Sequence, residues 1–375
     1  MGRKHQSRLM PRRSQPSNIA DTCHATGYNP GIAKPVPNRA RHARRAAPGQ
    51  KTDIRLGRIV HLLTGHATVV VSGTKLAAEL GTSRTEVWRL IQQLRSLGVD
   101  VAGHPATGYR LRAVPDLLLD EVLAPLVKGT IFEHIHHYYK IRSTNTTAME
   151  AAAAGAPEGT VILAEEQTAG RGRSANAWYS TRSVGIYCSA VLRPPLPPSD
   201  VLVLSLAAGL AVHSAVREVD PRVNPDLKWP NDLLLDGKKF CGILTEMNAE
   251  ATRVQHVVIG IGINVNQLKF PGDLRDTATS LRLVTGNEWS RVELATTLLK
   301  SLHREYRDLL ENSNARESIL RRFTEHSSYV RGCAVRIDEN GRFEGVTEGM
   351  DSRGFLRVRT TQGLRTVLSG TVTAV

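Results

Sequence analysis

The stretch TVILAEEQTAGRGRSANAWYSTRSVGIYCSAVLRP, residues 160–194, joins two apolar segments through a loop rich in glycine and arginine. The flanking segments TVILAEEQ and SVGIYCSAVLRP have the length and apolar content that are typical of strands. Glycines let backbone N–H groups approach a ligand closely, and arginines donate to carboxylate or phosphate groups. The stretch therefore predicts two strands and an anion-binding loop, although the same composition also suits an ordinary solvated loop.

Downstream segments continue an alternation of strands and helices. Residues 201–219 predict a long helix, residues 226–248 a hairpin-like pair of strands, and residues 253–267 a further strand. This pattern predicts a mixed α/β domain of enzyme size over residues 114–327. Its glycines and polar residues cluster at strand ends and turns, which indicates a single cleft.

Upstream, residues 52–113 carry the pattern of a winged helix-turn-helix. Gly81 ends one helix, and Ser83 with Glu86 forms a capping box for the next, while the residues after Gly98 predict a hairpin wing. A small protein-interaction module is the alternative. The predicted shared core of the two helices is Leu76, Ala77, Leu80, Val87, Leu90, Ile91 and Leu94. The residues predicted to contact DNA, on or near the outward face of the later helix, are Ser83, Arg84, Thr85, Trp88 and Arg89.

Charge is concentrated at the N-terminus. The chain has 375 residues and a formal net charge of +14, and residues 1–50 contain ten basic residues against one acid, Asp21. The segment is rich in Pro, Ser and Ala without helical or strand periodicity, so it predicts a disordered basic tail. Three interpretations stay open: a nucleic-acid-binding arm, an Arg-rich transit peptide, or an extension from too early a start codon.

Cysteine spacing and hydropathy indicate a soluble cytoplasmic protein with no membrane partner. Cys23, Cys188, Cys241 and Cys333 stand far apart without a CxxC pair, which disfavours a zinc site or a disulfide framework. The longest apolar run, VLVLSLAAGLAV at 201–212, is shorter than the roughly 20 residues of a membrane span. We expect this run to form a buried helix.

Four motifs occur in the order and spacing that biotin protein ligases show. They are STNT (143–146), EQTAGRGR (166–173) with Trp178, KWPNDLLLDGKKFCGIL (228–244) and GIGINVN (260–266). GVDVAGHPATGYRL resembles the wing of bifunctional biotin operon repressors, and residues 335–372 resemble that family's C-terminal SH3-like β-barrel. The resemblance implies a winged helix-turn-helix at 52–113, an α/β (α+β mixed-sheet, class II synthetase-like) catalytic domain at 114–327, and an SH3-like barrel at 328–375.

The resemblance implies a biotin–[acetyl-CoA-carboxylase] ligase. Such an enzyme forms biotinyl-5′-AMP from biotin and ATP, then transfers biotin to a lysine of the biotin carboxyl carrier protein. It also implies a biotin-responsive repressor that binds operator DNA and is a homodimer when adenylate is bound. The Mg²⁺ is expected to bridge ATP phosphates, with no dedicated metal ligands in the protein.

Each motif residue receives an expected role. Positioning and charge stabilisation, by Lys228, Arg171 and Arg173, would suffice because two anions react and no enzyme nucleophile is needed. Trp178 is expected to be packing. The expected biotin contacts are Ser143, Thr144, Asn145, Gln167, Arg171, Gly172, Arg173 and Lys228. The expected adenylate contacts are Gly260, Gly262 and Asn264.

One departure from the family pattern lies in the loop. The family usually continues GRGR with x-G-R-x-W, whereas this chain has Ala175-Asn176 in place of the second Gly-Arg. The loop is expected to close over the adenylate, so the departure predicts a shorter retention of this intermediate. A biotin-responsive regulator with decayed ligase activity is the second hypothesis. A lipoate or octanoate ligase is a third, disfavoured by GRGR and by the C-terminal barrel.

Overall fold

The computed structural model describes residues 50–64, 70–104, 107–113, 116–339 and 341–375, and within them every side chain except those of residues 50–54, 104 and 175. The basic tail predicted at 1–50 lies outside the described residues, apart from Gln50, where the first helix begins. Cys23 lies outside them as well.

The predicted helix-turn-helix and its hairpin are confirmed. Ser72 and Ser83 cap the second and third helices by accepting backbone N–H groups, and Gly81 ends the second helix at φ 60°. Of the predicted core, Leu80 alone is only partly buried. The elements are α1 Gln50–Thr64, α2 Gly73–Leu80, α3 Arg84–Ser96, β1 Val101–His104 and β2 Gly108–Leu111, with β1 and β2 antiparallel.

The predicted capping box at α3 is only half formed. Ser83 Oγ accepts from the Glu86 backbone N–H at 3.2 Å. The Glu86 carboxylate turns outward to Arg89, at 2.7 Å, and to Arg55 of α1, at 3.8 Å. Two nearby guanidinium groups attract this carboxylate more strongly than one neutral backbone N–H does.

A seven-stranded mixed sheet forms the centre of the next region, in the order β3-β4-β5-β9-β8-β7-β6. The β3–β4 pair is parallel and the other neighbouring pairs are antiparallel. The predicted mixed α/β class is therefore confirmed. The strands are β3 Ile135–Tyr138, β4 Val161–Ala164, β5 Gly185–Leu192, β6 Asp226–Lys228, β7 Asp232–Leu235, β8 Lys238–Ala249 and β9 Val254–Asn264.

Helices cover both faces of this sheet, because successive strand residues point to opposite faces. In β4, Ile162 packs with α5, whereas Val161 and Leu163 join the larger core on the α6 side. The helices are α4 Asp120–Leu126, α5 Thr144–Ala153, α6 Leu202–Val219, α7 Leu281–Thr285, α8 Arg291–Glu311 and α9 Ala315–Glu325.

The apolar run predicted to be a buried helix is α6. Among the described residues, the segment Pro198–Val219 is long and apolar enough to span a membrane, but 78% of its apolar window is buried inside the structure. Its apolar residues therefore have protein neighbours, as expected for a core helix.

The C-terminal region is a five-stranded antiparallel sheet in the order β13-β12-β11-β10-β14. Within the described residues β13 and β14 do not pair, so no closed barrel is found and the predicted SH3-like barrel is not confirmed. Val335, Val358 and Val372 join the core around the seven-stranded sheet, so the two sheets share one hydrophobic core. The strands are β10 Arg331–Asp338, β11 Arg342–Met350, β12 Leu356–Thr360, β13 Gly363–Val367 and β14 Thr371–Ala374.

A short linker connects the winged helix to the large sheet. Leu117 and Leu119 pack into the core of the winged helix, together with Tyr139 that follows β3. Leu118 points the opposite way, into the core around the seven-stranded sheet. The linker therefore contributes side chains to both hydrophobic cores. The domain limits at 113 and 327 stay a prediction.

Candidate active site

One cavity brings together segments that are far apart in the sequence. It lies between the loop after β4, the N-terminus of α5, the β6–β7 turn and the middle of β8 and β9. The antiparallel register places Leu244 opposite Gly260 and Gly242 opposite Gly262. The predicted site residues that line it are Ser143, Thr144, Asn145, Gln167, Arg171, Gly172, Arg173, Lys228, Gly260 and Gly262. Asn264 lines an adjoining cavity.

Polar side chains form one wall of the cavity. Gln167 Oε1 accepts from the Thr144 backbone N–H at 2.8 Å, and Gln167 Nε2 donates to Ser180 Oγ at 2.9 Å. Ser189 Oγ lies 2.6 Å from Asn145 Oδ1. Ser143 caps α5 by accepting from the Thr146 N–H. Because each side chain holds the next, the wall is ordered before any ligand binds.

Asn145 and Trp178 explain why two residues of GIGIN are glycine. A Cβ on Gly260 would lie 1.9 Å from Asn145 Oδ1, and a Cβ on Gly262 would lie 2.5 Å from the Trp178 ring. A larger residue at either position would collide with these side chains. Both glycines line the cavity, and their contact with adenylate stays a prediction. Asn264 is buried and donates to the Thr279 carbonyl at 3.1 Å.

The loop that carries GRGR folds back on itself beside the cavity. The Gly172 N–H donates to the Asn176 carbonyl at 2.7 Å, and Ser174 has φ 52°. Arg173 donates to Asn231 Oδ1 at 3.1 Å and lies 3.5 Å from the Gly370 carbonyl of the C-terminal sheet. Burial lowers the pKa of Arg173. This arginine therefore joins the loop to two other regions of the cavity wall.

Two lysines line the cavity, and the sequence predicted only one of them. Lys228 is half-buried, burial lowers its pKa, and its Nζ lies 5.2 Å from the centroid of the Tyr329 ring. Lys239 Nζ lies 2.7 Å from Asp232 Oδ1 and 5.4 Å from the centroid of the Trp178 ring. The missed residues Lys239, Asn231 and Asp232 all fall within the third motif. A lysine directly before the buried residues Phe240 and Cys241 was the available signal for Lys239.

A buried ion-pair network lies around Glu165, which directly follows β4. Arg291 Nη1 is 2.8 Å from Glu165 Oε2, and both side chains are 1% exposed. His137 Nε2 is 3.2 Å from Glu165 Oε1, which also accepts from the Leu118 N–H of the linker. Burial disfavours the Glu165 carboxylate, but Arg291 and His137 outweigh it and hold its pKa at about 2.

The recognition residues predicted on α3 are exposed together, since Arg84, Thr85, Trp88 and Arg89 all face solvent. Trp88 is 56% exposed, which is unusual for an aromatic side chain of this size. Arg89 is paired with Glu86, and Ser83 serves as the helix cap. The surface is therefore polar and basic with one apolar group at its centre.

Within the described part of the chain, no group of three or more His, Cys, Asp or Glu side chains is placed to hold a metal ion. Cys188, Cys241 and Cys333 are free thiols there. Burial raises the pKa of Cys188 to about 12, so its thiol stays protonated although it lines the cavity. The polar chemistry of the site therefore rests on lysine, arginine, hydroxyl and amide groups.

Comparison with known proteins identifies two regions of the chain. Residues 138–264 match the model of the Biotin/lipoate A/B protein ligase family, and residues 55–110 match an HTH domain. The biotin protein ligase from Aquifex aeolicus in complex with biotin and ATP is a structural neighbour. It has 29% identity and a TM-score of 0.57, with 65% of this chain and 100% of that chain covered.

The names of two relatives state both activities, ligase and repressor. The bifunctional ligase/repressor BirA of Bacillus subtilis (strain 168) is 37% identical over 84% of this chain and 97% of its own length. The bifunctional ligase/repressor BirA of Escherichia coli (strain K12) is 29% identical over 76% of this chain and 87% of its own length. The chain belongs to the family of bifunctional biotin ligase/repressor proteins.

Proposed function

We propose that the chain is a biotin–[acetyl-CoA-carboxylase] ligase that also acts as a biotin-responsive repressor. The observation that carries the ligase proposal is the cavity itself, where a wall of hydroxyl and amide groups faces Arg173, Lys228 and Lys239. A neutral polar head and an anionic end on the same small ligand match these two sides. Biotin has both, and its carboxylate is the group that reacts.

The hydrogen-bonding capacity left on the polar wall suits a ureido ring. Asn145 Nδ2 already donates to the Leu244 carbonyl and to Glu246, so its spare capacity is one lone pair on Oδ1. Ser143 Oγ accepts from a backbone N–H, which leaves its O–H free to donate. One acceptor and one donor therefore face the cavity, and a ureido group offers N–H donors and a carbonyl acceptor in return.

The basic side of the cavity suits the adenylation step. The biotin carboxylate attacks the α-phosphate of ATP, the acyl–phosphate bond forms and pyrophosphate leaves. Negative charge grows on the phosphoryl oxygens, and we propose that Lys228, Lys239 and Arg173, which line the cavity, stabilise it. The acceptor lysine of the biotin carboxyl carrier protein then attacks the anhydride carbonyl, forms an amide and releases AMP.

We propose that Mg²⁺ enters with ATP, bound to the phosphate oxygens. Asp232 contributes a carboxylate to the cavity wall, and this carboxylate is paired with Lys239. Because Mg²⁺ usually keeps several waters and binds through one or two carboxylates plus substrate phosphates, no protein cage is required. The residues present therefore fit a cation carried by the nucleotide.

The proposal is tested by ATP–pyrophosphate exchange with the purified full-length chain. We expect exchange only when biotin, ATP and Mg²⁺ are all present, because the biotin carboxylate is the nucleophile. Lipoate and octanoate serve as control acids of similar charge. Exchange with these acids but not with biotin would assign the site to a different carboxylic acid.

A regulator with decayed ligase activity is the second candidate, supported by the loop. Ala175-Asn176 offers no arginine where the family has one, and Asn176 is exposed beside the cavity. Such a protein would bind biotin through the same polar wall but would hold the adenylate poorly. The exchange measurement separates the two candidates.

Restoring the family residues by Ala175→Gly with Asn176→Arg is expected to slow release of biotinyl-5′-AMP. A charge-assisted contact contributes ~1.5–3 kcal/mol, or about tenfold to a hundredfold in retention, and exposure of position 176 places the expected gain near the lower end. Stopped-flow chase of the labelled intermediate measures the rate. The variant Ala175→Gly alone is the control, and equal release from all three proteins would show that position 176 makes no contact with the ligand.

We also propose that α3 reads operator DNA as part of a homodimer formed when adenylate is bound. A two-fold operator requires two recognition helices one helical turn apart, and dimerisation supplies that spacing. Arg84 suits a guanine edge or a phosphate, and the exposed Trp88 suits the apolar methyl group of thymine. This part of the proposal rests on the exposed face of α3.

Deleting residues 1–50 is expected to make operator binding less sensitive to salt while keeping its sequence preference. Each lost phosphate contact reduces the slope of log affinity against log salt by about 0.9, because fewer counterions are released. Fluorescence anisotropy at several salt concentrations measures this slope. Arg84→Ala is the matched variant and should instead relax the sequence preference. Loss of preference in the deletion protein would give the tail a role in specific recognition.

The C-terminal sheet contributes residues to the cavity wall. We infer that residues 328–375 act as an SH3-like module that forms one side of the cavity, since Gly370, Thr371 and Val372 line it beside Arg173. Removal of this module is therefore expected to open one side of the nucleotide site.

We also propose a cytoplasmic location, because the free thiols in the described part of the chain suit a reducing compartment.

A further inference from the structure

Glu246 connects the loop to the cavity wall, and none of the four sequence motifs contains it. It lies on β8, two residues beyond Leu244. Its Oε1 and Oε2 accept from Arg171 Nη2 at 3.0 and 2.7 Å. Its Oε2 also accepts from Asn145 Nδ2 at 2.9 Å. One carboxylate thus accepts hydrogen bonds from both a loop arginine and an amide of the polar wall.

Arg171 therefore already has a carboxylate partner for its guanidinium before any anionic ligand binds. Its backbone is fixed by a bridge to Ala177 on the other side of the loop. Its side chain lines the cavity, and its guanidinium is paired with Glu246. An anionic ligand group that reaches Arg171 through Nε or Nη1 meets a positive charge that Glu246 already partly neutralises, because Nη2 donates to both Glu246 oxygens.

We propose that Glu246 holds Arg171 in the ligand-free protein and competes for it with the anionic centre of biotinyl-5′-AMP. The inference rests on the proposed function and adds a positioning residue to it. Competition of this kind sets how long the adenylate is retained. The pair is partly solvated, with side-chain exposures of 45% for Arg171 and 28% for Glu246, so its effect is modest.

The test is the affinity of the full-length protein for synthetic biotinyl-5′-AMP, which requires no catalysis. Glu246→Gln keeps an oxygen that can accept from Asn145 but removes the charge that attracts Arg171. We expect about twofold to fivefold tighter binding, the range that a partly exposed ion pair supplies. Glu250→Gln is the matched control, because Glu250 is an exposed β8-hairpin residue whose partner is Gln255; its affinity should equal that of wild type.

A double-mutant cycle with Arg171→Ala separates competition from general structural change. The effect of Glu246→Gln should disappear in the Arg171→Ala background, because no guanidinium is left to release. Weaker binding by Glu246→Gln, or an equal effect in both backgrounds, would overturn the inference while the ligase proposal stands. No binding of biotinyl-5′-AMP by wild type would instead remove the proposed function and the inference with it.

Discussion

Alanine in place of Lys228 is expected to slow formation of biotinyl-5′-AMP by about a hundredfold to a thousandfold, the usual loss when one preorganised charge-stabilising donor is removed. Lys228 lines the cavity and is half-buried, so its charge is only partly screened by water. Lys239→Ala is expected to have an effect of the same order, because Lys239 lines the cavity and the adjoining one. Single-turnover formation of labelled adenylate measures both rates.

Lys238→Ala is the control for this prediction. Lys238 precedes Lys239 on the same strand, so its side chain points to the opposite face, and it lies 3.5 Å from the Arg275 carbonyl. Its rate should stay within about twofold of wild type, because surface substitutions away from the site have little effect. A large loss in Lys238→Ala, or rates near wild type in both cavity variants, would contradict the assignment of the basic wall.

Glu165→Gln is expected to lower the free energy of unfolding by about 3–5 kcal/mol, because it leaves the buried Arg291 charge with only the partly exposed Asp116 as an ionic partner. Chemical denaturation measures this loss. The double variant Glu165→Met with Arg291→Met should recover much of it, since well-packed apolar residues replace a buried ion pair at little cost. Glu218→Gln, in an exposed pair with Arg304, is the control and should cost less than about 1 kcal/mol. A single variant as stable as wild type would show that water reaches the network.

The same network has a defined pH dependence. The folded-state pKa of Glu165 is about 2, below the value of about 4.3 for a glutamate in an unfolded chain. Its contribution to stability is therefore complete above the unfolded pKa and is lost as the pH falls through about 2. The stability difference between wild type and Glu165→Gln should shrink over that window, measured by denaturation at each pH.

Local patterns were sufficient where local contacts decide the structure. Gly81 ends α2 and Ser83 begins the recognition helix α3 through their own backbone and side-chain properties, so the helix-turn-helix was predictable. The strands around residues 160–194 followed from apolar content for the same reason. Glu86 shows the limit, because Arg89 on its own helix and Arg55 on α1 both attract its carboxylate, and the capping pattern includes neither arginine.

Residues of the cavity were less predictable, because strand register decides which side chains face it. The sequence gives no reason to prefer Lys239 over Lys238 as a cavity residue. In the structure Lys239 pairs with Leu234 and Lys238 with Leu235, and this register decides which lysine lines the cavity. Glu246 is also brought to Arg171 by the alignment of β8, 75 residues away in the chain. The SH3-like barrel was expected from the family resemblance alone, and it is not confirmed, because a resemblance in sequence does not decide whether the first and last strands of a sheet pair.

We propose that this cavity activates biotin, which the protein then delivers to a carrier protein. The direct measurement is intact mass spectrometry of a biotin carboxyl carrier domain after incubation with the full-length protein, biotin, ATP and Mg²⁺. We expect the domain to gain one biotinyl group, the gain to require ATP, and replacement of the acceptor lysine of the domain to prevent it. An unchanged mass with well-folded protein that binds biotin would contradict the ligase assignment and leave the regulator in its place.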